Sequence, residues 1–164
     1  MSSACQNTPE KQPEFIPAIE VKTQPQVQHT LGIIGAVEPI YIMPLKTPFQ
    51  ARIDTGAETS SIDTSAMKHF ERDGQKWVAF DIINSATGEK YSFEKKVERQ
   101  TSVKRIHNSE KRTIVNMNVK FGGKIIKAEF SLAQRDKFDY QVLIGRNILT
   151  GRAIVDTSLS NTLR

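Results

Sequence analysis

Hydrophobic and polar residues alternate in short runs along most of the chain, as in β-strands with one buried face. The run from Phe49 to Ile53 is the clearest, since its first, third and fifth residues are apolar. Paired strands are predicted at 77–83 with 90–97 and at 113–121 with 124–132, and single strands at 142–144 and 152–156. Residues 31–43 contain further strands, 65–72 one helical turn, and 146–150 a short helix. The pattern indicates a small all-β barrel with one short helix near its C-terminal end.

Composition divides the chain into a tail and one domain. Residues 1–30 contain four of the seven prolines, five glutamines and few large apolar side chains. Such a segment cannot bury enough surface to offset its ordering entropy, so it is predicted to be disordered. The remainder, 31–160, is predicted to be a single folded domain of the 164-residue chain. No run reaches the 18 or more apolar residues of a membrane-spanning helix, so no membrane span is expected.

Cys5 is the only cysteine, which excludes an internal disulfide framework and a cysteine-based zinc site. The sequence as it stands has no charged region followed by an apolar region at its start, which favours a cytoplasmic protein. Ser3-Ala4-Cys5 nevertheless resembles the end of a bacterial lipoprotein leader. If a leader has been removed, the protein is expected to be periplasmic or tethered to lipid through Cys5.

Positive charge is concentrated in one part of the chain. The net charge is +5, and residues 94–112 hold seven Lys or Arg against three Glu. Aromatic residues, which stack against the bases of single-stranded nucleic acid, are nearly absent from this stretch, so no nucleic-acid partner is predicted. The stretch is either the solvated face of a hairpin or a surface that favours acidic substrates.

Asp54-Thr55-Gly56-Ala57 follows the strand at 49–53 and places one carboxylate on a tight turn. On its own, such a tripeptide is often only a turn. Two turns of this kind, facing each other, would bring two carboxyls close enough to share a proton and polarise a water molecule. Because the chain is one domain with one Asp-Thr-Gly, the second carboxylate would come from a second copy of the chain.

A second segment strengthens that interpretation. Residues 141–150 contain a short apolar strand, a break at Gly145, and Arg146-Asn147 at the start of a helix. The two segments together resemble the retropepsin family, the dimeric aspartic proteases of retroviral type. The resemblance covers roughly residues 35–157 and is closer to a bacterial and archaeal group labelled ATP-dependent zinc proteases, which is linked to ATP-grasp glutamate ligases.

The resemblance implies a closed retropepsin-like β-barrel that acts as a homodimeric aspartic endopeptidase. Two Asp54 carboxyls would activate the water, Thr55 and Gly56 would keep them rigid, and Ala57 would line the cleft. In the family, the arginine after the late glycine pairs with an acid beyond the turn, here Arg146 with Glu58. The residues expected to support the turn are Glu58, Gly145, Arg146 and Asn147.

The resemblance also implies a flap over the cleft, expected near residues 103–112 with its tip at His107-Asn108-Ser109. Its basic residues would favour acidic or glutamate-rich peptides through charge attraction. They are Lys104, Arg105, Lys111 and Arg112.

Two other functions compete with this prediction. A catalytically idle dimer of the same fold would bind an acidic peptide or protein tail without cleaving it. A metal-dependent peptidase would follow the label of the resembling group, but His29, His69 and His107 lie far apart and lack the spacing of a zinc site. No phosphate-binding loop is present either, so the sequence predicts neither a metal nor a cofactor.

Overall fold

The computed structural model describes residues 28–104, 109–134 and 139–163, without the side chains of 103, 104, 109 and 110. The predicted tail lies outside these ranges except for residues 28–30. The described residues form eleven β-strands and one α-helix. The strands are β1 (Gly32–Ile34), β2 (Val37–Ile42), β3 (Phe49–Ile53), β4 (Ser60–Asp63), β5 (Ser65–Arg72), β6 (Gln75–Ile83), β7 (Lys90–Lys104), β8 (Ser109–Phe121), β9 (Lys124–Ala133), β10 (Val142–Ile144) and β11 (Ala153–Val155), and the helix is α1 (Arg146–Leu149).

Six of the strands close into a barrel in the order β2-β3-β10-β4-β9-β8. Closure comes from β2 and β8, which pair antiparallel with Ile40 opposite Phe121 and Ile42 opposite Val119. The alternating side chains of these strands point inward, and Ile40, Ile42, Val119 and Phe121 are all fully buried. Closure leaves the barrel strands without free edges. The prediction of a closed all-β barrel with one short helix is therefore confirmed.

Strands β5, β6 and β7 extend the sheet beyond the barrel, joined to it through β8. The predicted helical turn at 65–72 is wrong, because this segment is strand β5 at the outer edge of the extension. A register shift between Ser65 and Lys68, with Ala66 at a positive φ of 51°, interrupts the strand alternation. Met67 and Phe70, three residues apart, are consequently the half-buried apolar positions, and that spacing resembles a helix.

Strand β7 continues past the predicted end at 97 and forms a long hairpin with β8. Their register shifts between Val97, opposite Val115, and Arg99, opposite Ile114, so β7 carries one extra residue there. The pairing of β7 with β6 ends at Lys96, and the pairing of β8 with β9 begins only at Ile114. Beyond Arg99 the two strands therefore have only each other as strand partners within the described residues.

The C-terminal residues fold back along β1 and β2. Ala36 N donates to Leu159 O over 2.8 Å, and Asn161 N donates to Val37 O over 2.8 Å. The fully buried carboxylate of Glu38 accepts hydrogen bonds from Gly35, Thr162 and Leu163, and so fastens this segment to the barrel. No helix in the described part of the chain is long and apolar enough to cross a membrane.

Candidate active site

The Asp54 turn connects β3 to β4, and β10 lies between these two strands. β10 is parallel to β3, with Ile144 opposite Ile53, and antiparallel to β4. Asp54 N donates to Ile144 O over 2.9 Å, so the first residue of the turn is attached to the end of β10. The turn is thereby placed directly beside the start of α1.

One carboxylate oxygen of Asp54 is held by the backbone of its own turn. Oδ1 accepts hydrogen bonds from Gly56 N at 3.0 Å and Ala57 N at 3.1 Å. Among the described residues, no group donates to Oδ2. A Cβ on Gly56 would lie 3.3 Å from Oδ1, which is a tight contact that the glycine avoids. The two turn amides therefore hold the carboxylate in one orientation through Oδ1.

Gly145 lies where β10 ends, packed against the far side of the turn. A Cβ at this position would lie 2.9 Å from Ala57 O and from Thr59 C, so no larger residue fits without moving the backbone. Its N–H donates to Ser60 Oγ over 3.0 Å. The glycine predicted to support the turn is thus in direct contact with it.

Asn147 connects three parts of the site through its side chain. Its Oδ1 accepts from Ser60 N at 2.9 Å and from Ser60 Oγ at 2.8 Å, and its Nδ2 donates to Glu129 O over 2.8 Å. The first helical amides also face the turn, since Arg146 N donates to Ala57 O and Asn147 N to Glu58 O. The start of α1 therefore holds both the turn and the beginning of β4.

Arg146 contacts the turn, but not through the predicted partner. Its Nη1 donates to Gly56 O over 2.8 Å and to Thr55 O over 3.2 Å. An ion pair with Glu58 is not among those within the described residues. The carbonyl oxygens of the turn come within reach of the guanidinium and take the place that the carboxylate was expected to fill.

Arg99 and Glu129 are site residues that the sequence did not reveal. Arg99 donates from Nη2 to Glu129 Oε2 over 2.7 Å and to Thr59 Oγ1 over 3.3 Å. The hydrogen bond that Arg99 donates to the carboxylate of Glu129 raises the pKa of Arg99 despite partial burial, and the nearby carboxylate of Glu58 adds to the shift. These residues come from three distant parts of the sequence, so no local spacing could have indicated the contact.

The predicted flap falls largely on residues that lie outside the described ranges or whose side chains are not described. Arg105, His107 and Asn108 are among them, and Lys104 and Ser109 are described only as a backbone pair at the end of β7 and β8. The paired strands Lys90–Lys104 and Ser109–Phe121 form a hairpin at the expected place in the chain. Whether this hairpin acts as a flap stays a prediction.

Titratable side chains do not assemble into a metal site in the part of the chain that is described, where no group of three or more His, Cys, Asp or Glu converges. His69 instead bonds through Nε2 to Thr113 Oγ1 over 2.7 Å. Asp156, at the end of β11, accepts bonds from Ser158 N at 2.9 Å and Ser158 Oγ at 2.6 Å, in a turn of its own.

Comparison with known proteins yields relatives in sequence and in structure. The probable alpha-L-glutamate ligase of Shewanella pealeana is 33% identical over 132 residues, which are 78% of this chain and 29% of that protein. The protein of the same name from Desulfotalea psychrophila is 32% identical over 139 residues, 80% of this chain and again 29% of the relative. The chain thus spans less than a third of the length of these curated relatives.

A solved structure gives independent support for the fold. Lpg0085 of Legionella pneumophila, a protein described as having unknown function, superposes with a TM-score of 0.69 and 28% identity. The match covers 81% of this chain and 98% of that one. The family model described as "retropepsin-like aspartic endopeptidase RimB" matches residues 33–163, which include the Asp54 turn, the whole barrel and α1. This protein therefore belongs to the RimB-like family of retropepsin-like aspartic endopeptidases.

Proposed function

We propose that this protein is a homodimeric aspartic endopeptidase in which each chain contributes one Asp54. The observation that carries the proposal is the state of that carboxylate, fixed through Oδ1 by two turn amides while no described residue donates to Oδ2. Thr55 and Gly56 are exposed beside it in the single chain. A second copy of the turn facing the first would cover them and supply the missing acid.

The chemistry follows from placing two carboxyls together. Like charges at that distance disfavour double ionisation, so one carboxyl carries a proton and the other is a base. The base takes a proton from water as the water oxygen attacks the amide carbon, while the acid protonates the carbonyl oxygen. The resulting tetrahedral species collapses when a proton passes to the leaving nitrogen. No bond forms between the substrate and the protein.

The substrate class we propose is acidic, including glutamate-rich peptides. Residues 94–104 and 109–112 of the basic stretch belong to the strands of the β7–β8 hairpin, which would attract negative side chains. The curated relatives are named probable alpha-L-glutamate ligases, so sequence related to this chain occurs in proteins whose name refers to glutamate. Both observations support a link to glutamate-containing chains.

The test compares Asp54→Asn with the wild type on a peptide library that contains glutamate-rich sequences. Asp156→Asn is a matched control, because Asp156 also accepts hydrogen bonds within its own turn at the end of a strand. We expect Asp54→Asn to lower cleavage by about a thousandfold, the scale of lost acid–base catalysis, and Asp156→Asn to leave it unchanged. A chelator should have no effect on the rate.

The outcomes separate the competing functions. Cleavage that survives in Asp54→Asn would exclude the aspartic mechanism. Wild-type protein that binds acidic peptides and leaves them intact would be the idle binding dimer. Loss of activity on chelation would instead point to the metal-dependent alternative.

A further inference from the structure

The outer part of the β7–β8 hairpin depends on contacts at its base for its orientation. Beyond Arg99, β7 has β8 as its only strand partner in the described residues, and residues 109–113 of β8 pair only with β7. A ribbon of two strands is marginally stable by itself in water. A bulge that adds one residue to β7 between Val97 and Arg99 locally disrupts the ladder of β7 and β8, next to the point where pairing with β6 ends.

Arg99 stands at this bulge and reaches across to the active-site scaffold. Its Nε and Nη2 both donate to Glu129 Oε2, at 3.0 and 2.7 Å, and Nη2 also donates to Thr59 Oγ1 at 3.3 Å. Thr59 lies directly before β4, five residues after Asp54. One guanidinium therefore touches both the barrel strand β9 and the segment that leaves the catalytic turn.

Glu129 is itself firmly connected to the site. Its backbone oxygen accepts from Asn147 Nδ2, and Asn147 holds Ser60 through Oδ1. Ser60 Oγ in turn accepts from Gly145 N. The carboxylate that binds Arg99 thus belongs to a residue whose main chain is part of the network around the Asp54 turn.

We propose that Arg99 is a positioning residue, which together with Glu129 and Thr59 clamps the base of the β7–β8 hairpin to the active-site turn. The clamp sets where the hairpin strands stand relative to Asp54, and Arg99 takes no part in proton transfer. The kinetic consequence rests on the proposed peptidase function, whereas the structural consequence does not.

The primary test is hydrogen exchange at the amides of 100–102 and 111–113 in Arg99→Gln and Glu129→Gln. An ion pair of this exposure changes the local opening equilibrium by a factor of about two to five. These amides should therefore exchange about two to five times faster than in the wild type, and the exchange of the β10 amides should not change. Arg72→Gln is the matched control, because Arg72 forms an ion pair with Glu94 at the same 2.7 Å without touching the turn. The double variant Arg99→Gln/Glu129→Gln should exchange no faster than Arg99→Gln, which alone removes the contacts with both Glu129 and Thr59.

The second measurement is peptide cleavage. Arg99→Gln should raise KM about fivefold or more with a smaller change in kcat. Arg99→Lys should recover part of the loss, because lysine keeps a positive charge beside the carboxylate of Glu129. Unchanged hairpin exchange in Arg99→Gln would overturn the clamp whatever the kinetics show, and so would an equal acceleration in Arg72→Gln. If the wild type cleaves no peptide, the proposed function fails, and the exchange measurement still decides on the clamp.

Discussion

The buried carboxylate of Glu38 offers the sharpest test of how this fold is held together. Its Oε1 accepts from Gly35 N at 2.6 Å, Thr162 N at 3.1 Å and Thr162 Oγ1 at 2.6 Å, and its Oε2 accepts from Leu163 N at 2.9 Å. Burial alone would raise the pKa of Glu38, but the hydrogen bonds from Leu163, Thr162 and Gly35 together lower it. The ionised form is thus the one that the folded state prefers.

The cost of removing this carboxylate follows from the four donors. In Glu38→Ala the Gly35 amide loses its partner in a buried position, at about 1–3 kcal/mol, while the donors of Thr162 and Leu163 lie nearer the surface and regain water at about 1 kcal/mol each. We expect a loss of about 4–6 kcal/mol in the free energy of unfolding, a large share of the 5–15 kcal/mol typical of a domain. Glu38→Gln keeps the shape and one acceptor, so about 1–3 kcal/mol should be lost.

Urea denaturation at pH 7 and at acid pH, at one protein concentration, measures both effects. Because the pKa of Glu38 is lower in the folded state, its contribution is fully present above the unfolded-state pKa and is lost as the pH falls through the folded-state value. The difference between wild type and Glu38→Gln should therefore shrink as the pH falls. Glu94→Gln, at an exposed ion pair, should cost at most about 1 kcal/mol. A Glu38→Gln difference that stays equal at both pH values would refute the argument.

The remaining predictions concern the site. Gly145→Ala should destabilise the domain by about 2 kcal/mol or more in thermal unfolding, because the new Cβ would lie 2.9 Å from Ala57 O. Asn147→Ala should cost about 2–4 kcal/mol and most of the activity, since three side-chain hydrogen bonds are lost, and unchanged unfolding would contradict this. Cleavage should follow a bell-shaped pH profile on the acid side of neutral, and a rate still rising in alkali would indicate another base. Preference for acidic peptides should weaken as salt rises, and a preference independent of salt would exclude steering by the basic hairpin.

The sequence predicted the barrel well wherever a strand has one buried face. The bounds of β3 and β10 were predicted without error, and the predicted pairing of 113–121 with 124–132 left Gly122-Gly123 as the turn between β8 and β9. Both glycines have positive φ, at 55° and 73°. Because positive φ favours glycine, a glycine pair between two apolar strands predicts such a turn from sequence. Strand β5 was missed because it lies at an edge and contains a bulge, so neither burial nor alternation marked it.

The candidate site was predictable only in part. Asp54, Gly145 and Asn147 belong to short motifs; Gly145 packs against the turn, and Asn147 bonds to Ser60 at the start of β4. The partners of Arg146 and Arg99 were not predictable, because they depend on how strands distant in sequence come together. For Arg146 the sequence offered a carboxylate at Glu58, whereas the folded turn presents two carbonyl oxygens.

The Asp54 turn is anchored to β10 and α1 within one chain, which bears on how the proposed dimeric site would form. The turn's own amides, Ile144 O, the first amides of α1 and the side chain of Arg146 already orient Asp54 and its turn within a single chain. Each chain of the proposed dimer would therefore bring a turn that is already ordered, and the second copy would supply the facing carboxyl. In the proposed dimer, association would then complete a preorganised site with little rearrangement of either turn.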